Sequence, residues 1–218
     1  MRAIESRWLT AFFLLAIGLN LLLLGMKLAD VNLPGNDTGY EPTQPIAFSH
    51  RLHSGDLQIS CFYCHPAAYR ARYAGTPAPS LCMNCHRFVA ARLGAVQAEE
   101  EQAKKEGREP QKVTSTEIQK IYDALGLDSE LRPVRPGTRI RWLRVNRLPD
   151  FVVFHHGAHT AAGIDCAYCH GAAEKMERIR QTVSFSMGFC VNCHRLYQGR
   201  VVSGRTLVAS TDCGTCHH

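Results

Sequence analysis

No cysteine in this 218-residue chain stands alone, and that excludes much of what cysteines usually do. All ten fall in five copies of one pattern: Cys61-x-x-Cys64-His65, Cys82-x-x-Cys85-His86, Cys166-x-x-Cys169-His170, Cys190-x-x-Cys193-His194 and Cys213-x-x-Cys216-His217. None remains to close long loops, which argues against a structural disulfide framework. Aromatic residues are also scarce, 8% with two tryptophans, so the ordinary side-chain core is thin for one or two modest domains.

Charge is missing from one stretch, between Trp8 and Met26, which is broken only by Thr10, Gly18, Asn20 and Gly25. A helix of about 20 residues crosses a bilayer core. A cleaved signal peptide has a shorter apolar run and a small-residue cleavage site; Lys27-Leu28-Ala29-Asp30 is a poor one, so a retained anchor is expected. Arg2 and Arg7 precede the run and a single Lys27 follows it, which puts the N-terminus in the cytoplasm and the remainder outside, in a single-pass protein of the cell membrane. The formal charge of +6 therefore does not point to nucleic acid, because the compartment is wrong for it.

Three chemistries use a Cys-x-x-Cys pair. Structural zinc takes four ligands, usually two pairs per metal, and five pairs would orphan one. A thioredoxin-like redox pair sits once in a strand–helix setting. Covalent haem attachment needs one pair per cofactor and a histidine directly after it, and all five pairs have that histidine. The two sulfurs reach the two vinyl groups of one porphyrin edge, and the adjoining histidine falls beneath the iron. The expectation is five covalently attached haem c groups with His65, His86, His170, His194 and His217 as proximal iron ligands. Two propionates per haem outweigh the ferric charge, so the assembled protein would carry between about +1 and −4. The Arg132, Arg135, Arg139, Arg141, Arg144 and Arg147 series suits such carboxylates, or forms a solvated face.

A low-spin carrier iron takes a second axial ligand. Phe48-Ser-His50-Arg-Leu-His53 aligns with Phe154-His-His156-Gly-Ala-His159, and each segment is followed by two haem motifs. Surface histidines would not repeat such paired spacing, so His50, His53, His156 and His159 are expected as distal ligands. The fifth haem has no leader of its own; Met187, Met176, His155 and His218 are its candidates. Met187 stands three residues before Cys190, where the first repeat has Pro79.

The chain divides into an anchor (1–29), a Gly/Pro/polar linker (30–45), a first dihaem repeat (46–88), an insert (89–151), a second dihaem repeat (152–195) and a fifth-haem segment (196–218). The insert predicts a helix from "RFVAARLGAVQAEEEQAKKEG" with Glu100–Lys104 and Glu101–Lys105 pairs. A second helix opens on a capping box from Thr114 to Glu117, with Ile118, Ile121, Tyr122 and Leu125 on one stripe for a partner subunit or for this protein's own haem domain. "RIRWLRVNRLPDFVVF" reads as extended. The fold class is mainly α and irregular, with haem faces replacing apolar side chains at the centre.

"FSHRLHSGDLQISCFYCH", "AGTPAPSLCMNCHR", "LPDFVVFHHGAHTAAGIDCAYCHG" and "SMGFCVNCHR" resemble the pentahaem cytochrome c subunit of alternative complex III (ActA) and the related cytochrome of menaquinone reductase complexes. The resemblance covers the anchor and both repeats and fades in the insert. It implies a non-catalytic respiratory subunit that takes electrons from iron–sulfur and quinol-oxidising membrane subunits and passes them to a monohaem cytochrome or a terminal oxidase. Quinol dehydrogenases of the NapC/NrfH type also have one anchor and four or five haems, but the doubled Phe-x-His-x-x-His with a long insert is less like them. A catalytic multihaem reductase needs an iron left open to substrate, and here candidate distal ligands exceed the haems.

Overall fold

The computed structural model describes residues 2–29 and 37–217. Helix α1, Arg2–Ala29, contains an 18-residue window, Trp8–Gly25, with a mean hydropathy of 2.1 and none of it buried against the rest of the chain. It is long and apolar enough to cross a membrane.

Each first motif of a repeat is a short helix started by the residue directly before it. Ser60 accepts from the Phe62 N–H to open α2 (Cys61–Cys64), and Asp165 accepts from the Ala167 N–H to open α7 (Cys166–His170). Each second motif sits one turn inside a longer helix. Pro79 starts α3 (Pro79–His86), and Ser186 caps α8 (Met187–Tyr197) through the Phe189 N–H. The fifth motif forms α9, Cys213–Cys216.

The histidine leaders differ in a way that the sequence explains. The segment from His53 to Cys61 is one residue longer than that from His159 to Cys166. The second leader is an α-helix, α6 (His156–Ala161), and the first is a π-helical turn, Arg51–Asp56, which absorbs the extra residue. Both leaders end alike. The Ile59 N–H donates to the His53 carbonyl, and the Ile164 N–H to that of His159. The residue before each isoleucine is left-handed, Gln58 at φ 54° and Gly163 at φ 76°.

The two repeats embrace reciprocally. Arg51 N–H donates to the Met176 carbonyl (2.8 Å), and Gly157 N–H, at the matching position, to the Ala71 carbonyl (3.0 Å). Each acceptor lies ten residues after the first cysteine of the other repeat. The approach is close: a Cβ on Gly157 would lie 2.7 Å from the Arg70 carbonyl carbon, and one on Gly55 2.2 Å from the Glu174 carbonyl oxygen. Thr160 Oγ1 adds a bond to the Ala68 carbonyl.

The insert contributes α4 (Leu93–Glu106) and α5 (Thr116–Leu125). Helix α4 starts later than expected, because His86 Nδ1 bonds the Val89 carbonyl and turns the chain back after α3. Its charged contacts are also different: Arg108 bonds Glu99 and Glu106 across the helix C-terminus. The cap of α5 is Ser115, one residue beyond Thr114, and accepts from the Ile118 N–H. Glu117 turns aside to the Ala47 N–H and Lys120. The apolar stripe points inward. Ile121 and Tyr122 join Ile46 and Met83 in the buried core, with Ile118, Leu125 and Trp142 packed around them. The 139–154 segment forms no strand and bends at Asn146, with one isolated bridge at Val152. Gln44 grips it by both amide atoms at Leu143, and Val152 bridges to His217. A small hairpin, β1 (Val201–Val202) and β2 (Arg205–Thr206), precedes α9.

Protein-on-protein packing is sparse. The accessible surface is 16015 Å², against about 10,000 Å² for a compact monomer of this mass. Part of the excess is the free-standing α1; the rest reflects short helices whose apolar faces meet few side chains.

Candidate haem sites and axial ligands

The leaders place their imidazoles opposite the motif histidines. Ring centroids lie 6.0 Å apart for His53 and His86, 6.4 Å for His156 and His170, and 6.1 Å for His159 and His194. A metal–imidazole bond of about 2 Å on each side, plus about 1 Å from nitrogen to ring centre, spans about 6 Å. These three pairs therefore fit one iron each. The pKa of His50 falls to about 4, first through burial and then through its neighbours His65 and His53. In these three pairs the second histidine of a leader faces the second motif of its repeat, and His156, a first histidine, faces a first motif.

The ring orientations are fixed from behind. Phe48 stands edge-on to His50 (4.9 Å, 85°) and stacks on His53 (4.3 Å, 24°). Phe154 does the same to His156 (4.8 Å, 89°) and His159 (4.4 Å, 29°). One phenylalanine per repeat thus wedges two candidate ligands.

Hydrogen bonds fix the tautomers. The Nδ1 atoms of His53, His65, His86, His156, His159 and His194 face the carbonyls of Ser49, Gly75, Val89, Arg72, His155 and Ser210. A carbonyl only accepts, so each Nδ1 carries the proton and each Nε2 keeps its lone pair for a metal. Burial pushes the pKa of His170 down to about 4 and lowers that of His159, which favours the neutral, ligating form. His155 is set the opposite way: its Nδ1 accepts from the Ala158 N–H and caps α6, so its Nε2 is protonated. That role removes His155 from the fifth-ligand candidates.

The motifs form a row. Cys82 is raised above the ordinary thiol pKa by burial and by Cys64, Cys166 by burial and by Cys61, Cys169 by burial and by Cys193, and Cys190 by burial and by Cys216. Motif two thus neighbours motif one, one neighbours three, three neighbours four, and four neighbours five. The 152–218 segment matches the profile of the family described as cytochrome c7 and related cytochrome c. Over 137 residues the chain is 28% identical to the multiheme cytochrome c subunit of menaquinone reductase from Nitratidesulfovibrio vulgaris, covering 61% of this chain and 48% of that protein. The chain is similar to multihaem cytochromes c. Covalently bound haem c with its iron is the cofactor of such proteins, and the facing histidines and paired thiols fit it. The matched region is about half the length of that relative.

His217 is stacked on Phe151 (5.7 Å, 28°) and tied to the second leader through the bond from Val153 N–H to the Cys216 carbonyl. Met187 opens α8 with 70% of its surface exposed, on the helix whose Cys190 neighbours Cys216. Met176 is committed by its backbone to Arg51 in the other repeat. His218 lies outside the described residues. Half the arginine series is engaged locally: Arg132 pairs with Asp128, Arg135 bonds the Asp123 carbonyl, and Arg147 lies over the Tyr40 ring. One contact had no sequence signal, the side chain of Asn146 against His170 Nδ1 (3.0 Å).

Proposed function

We propose that the chain is a membrane-anchored pentahaem electron conduit, a non-catalytic subunit of a quinol-oxidising respiratory complex of the alternative complex III or menaquinone reductase kind. The observation that carries this reading is the set of facing imidazole pairs, His53–His86, His156–His170 and His159–His194, each at a separation that one iron bridges. The bound haem iron supplies reversible one-electron chemistry. The chain's residues do the rest. Facing imidazoles saturate four irons and exclude substrate, and Met187 is the proposed second ligand of the fifth. Nδ1–H donation to carbonyls makes each imidazole a stronger donor. The short helices fix the spacing between neighbouring sites.

In this reading α1 crosses the membrane with its N-terminus in the cytoplasm and holds the haem domain against iron–sulfur and quinol-oxidising subunits. A monohaem cytochrome or terminal oxidase takes the electrons at one end of the row. The test is the detergent-extracted chain. Intact mass and haemochrome quantitation should give five haems, and the isolated subunit should exchange electrons rapidly with small mediators yet oxidise no quinol and reduce no nitrite. Sustained quinol oxidation by the single chain favours the NapC/NrfH-type alternative, and nitrite turnover overturns the conduit.

A further inference from the structure

Six of the ligand histidines rest their Nδ1 on main-chain carbonyls, which no substitution alters. The buried His50 Nδ1 has no hydrogen-bond partner among the described residues, and His170 differs from all of these. Its Nδ1 lies 3.0 Å from the side-chain amide of Asn146, 24 residues earlier and outside both repeats. Asn146 is held in place for this contact. Gln44 brackets the chain at Leu143 with two hydrogen bonds, and Val145 beside it is buried.

The amide orientation follows from the chemistry of its neighbour. With Nδ2 toward His170, the imidazole would accept at Nδ1 and carry its proton on Nε2. An imidazole protonated at Nε2 cannot bind a metal there. The oxygen and nitrogen of an asparagine occupy the same shape, so turning the amide by half a revolution costs no packing. It places Oδ1 as acceptor of the Nδ1–H and leaves the lone pair on Nε2, in a ring whose centroid lies 6.4 Å from that of His156.

We infer that Asn146 is a positioning residue which, through a hydrogen bond from His170 Nδ1–H to its side-chain oxygen, selects the ligating tautomer of His170 and tunes the potential of the third, central haem. A neutral amide oxygen pulls less on the imidazole proton than a carboxylate does. Strengthening that pull makes the ring a stronger donor and favours ferric iron; removing it does the reverse. The inference rests on His170 being an axial ligand, as the proposed function requires.

The experiment is a spectroelectrochemical titration of the haem-loaded, anchored chain at mildly alkaline pH, with Asn146→Asp, Asn146→Leu and His170→Ala variants. Asn146→Asp should move one of the five midpoints downward and Asn146→Leu should move the same one upward, with haem content unchanged. A purely structural role would not give opposite signs. If Asn146→Leu matures poorly, the isosteric Asn146→Asp decides alone. Five unmoved midpoints in Asn146→Asp overturn the inference. If His170→Ala leaves the spectra unaltered, the ligand assignment itself fails, and that outcome is distinct from the first.

Discussion

His156 and His170 face each other with planes 4° from parallel, whereas His53 and His86 are turned 59° apart at nearly the same separation. Phe154 and Phe48 set those angles by wedging the distal ring of each pair. Parallel axial imidazoles split the iron d orbitals strongly, and crossed ones leave them nearly degenerate. Low-temperature EPR of the oxidised protein should therefore show an ordinary rhombic low-spin signal from the His156–His170 centre and a large-gmax signal from the His53–His86 centre. His156→Ala should delete or convert only the first. Loss of both signals together would mean that the two sites are not independent.

The embrace between repeats makes a prediction with an internal control. Gly157→Ala and Gly55→Ala each force a methyl into backbone of the other repeat, at 2.7 and 2.2 Å, and should cost about 1–3 kcal/mol. Gly94→Ala in α4 meets nothing within 4 Å and should be neutral or stabilising by about 0.5–1 kcal/mol. Denaturant melts of the haem-loaded chain, followed at the Soret band, separate the two classes.

Doubling of the leader was legible because histidine is a rare residue type and its spacing repeats. His50, His53, His156 and His159 could be read directly, and the structure sets three of them opposite motif histidines at bonding distance for a shared iron. The cap of α5 moved by one residue because Thr114, Ser115 and Thr116 are all competent and tertiary demand decided: Glu117 is drawn to the Ala47 N–H. The inward turn of the stripe on α5 was an open alternative in the sequence, since an amphipathic helix does not name what it packs against. Asn146 was invisible because one asparagine in an arginine-rich stretch has no period and no motif.

That inward stripe gives a third prediction. Ile121 is 5% exposed and packs with Met83 inside the second haem motif; Tyr122 donates its hydroxyl to the His86 carbonyl at 2.6 Å. Ile121→Ala should cost about 2–4 kcal/mol. Tyr122→Phe should cost about 1 kcal/mol and loosen His86. If the stripe served a partner instead, Ile121→Ala would spare the isolated chain and weaken only its assembly. Melts of the single subunit distinguish these.

The turn after α4 is acid-sensitive. Arg108 and the Gln111 N–H hydrogen-bond Glu99 and hold its pKa at about 2, below the ordinary 4.5. A depressed carboxylate stabilises the folded turn fully above its unfolded pKa, and that contribution disappears as pH falls through the folded value. Between pH 4.5 and 2, hydrogen exchange at the Gln111 amide should accelerate beyond its intrinsic pH dependence. Glu99→Gln should flatten that response. An unchanged profile in the variant would assign the acid limb to other groups.

The dependence of the fold on its cofactors is the last and largest effect. Helices α2, α7 and α9 have four or five residues, far below the roughly 12–15 that isolated helices need in water. Phe62, Tyr63 and Tyr168 lie inside the motifs and Tyr69 meets Phe62 edge-on at 5.6 Å, yet all four stay 39–57% exposed. Among the described residues, the buried cluster of Ile46, Met83, Ile121 and Tyr122 packs with the second motif and the insert. Blocking attachment with Cys→Ser pairs should therefore act unequally. Cys82→Ser with Cys85→Ser should leave α4 and α5 partly helical, while Cys166→Ser with Cys169→Ser should release the central site and expose residues 46–217 to proteolysis on both sides of it. Export without haem should leave far-UV helicity little beyond that of α1, α4 and α5. A cooperative, cofactor-free unfolding transition would show that side-chain packing suffices.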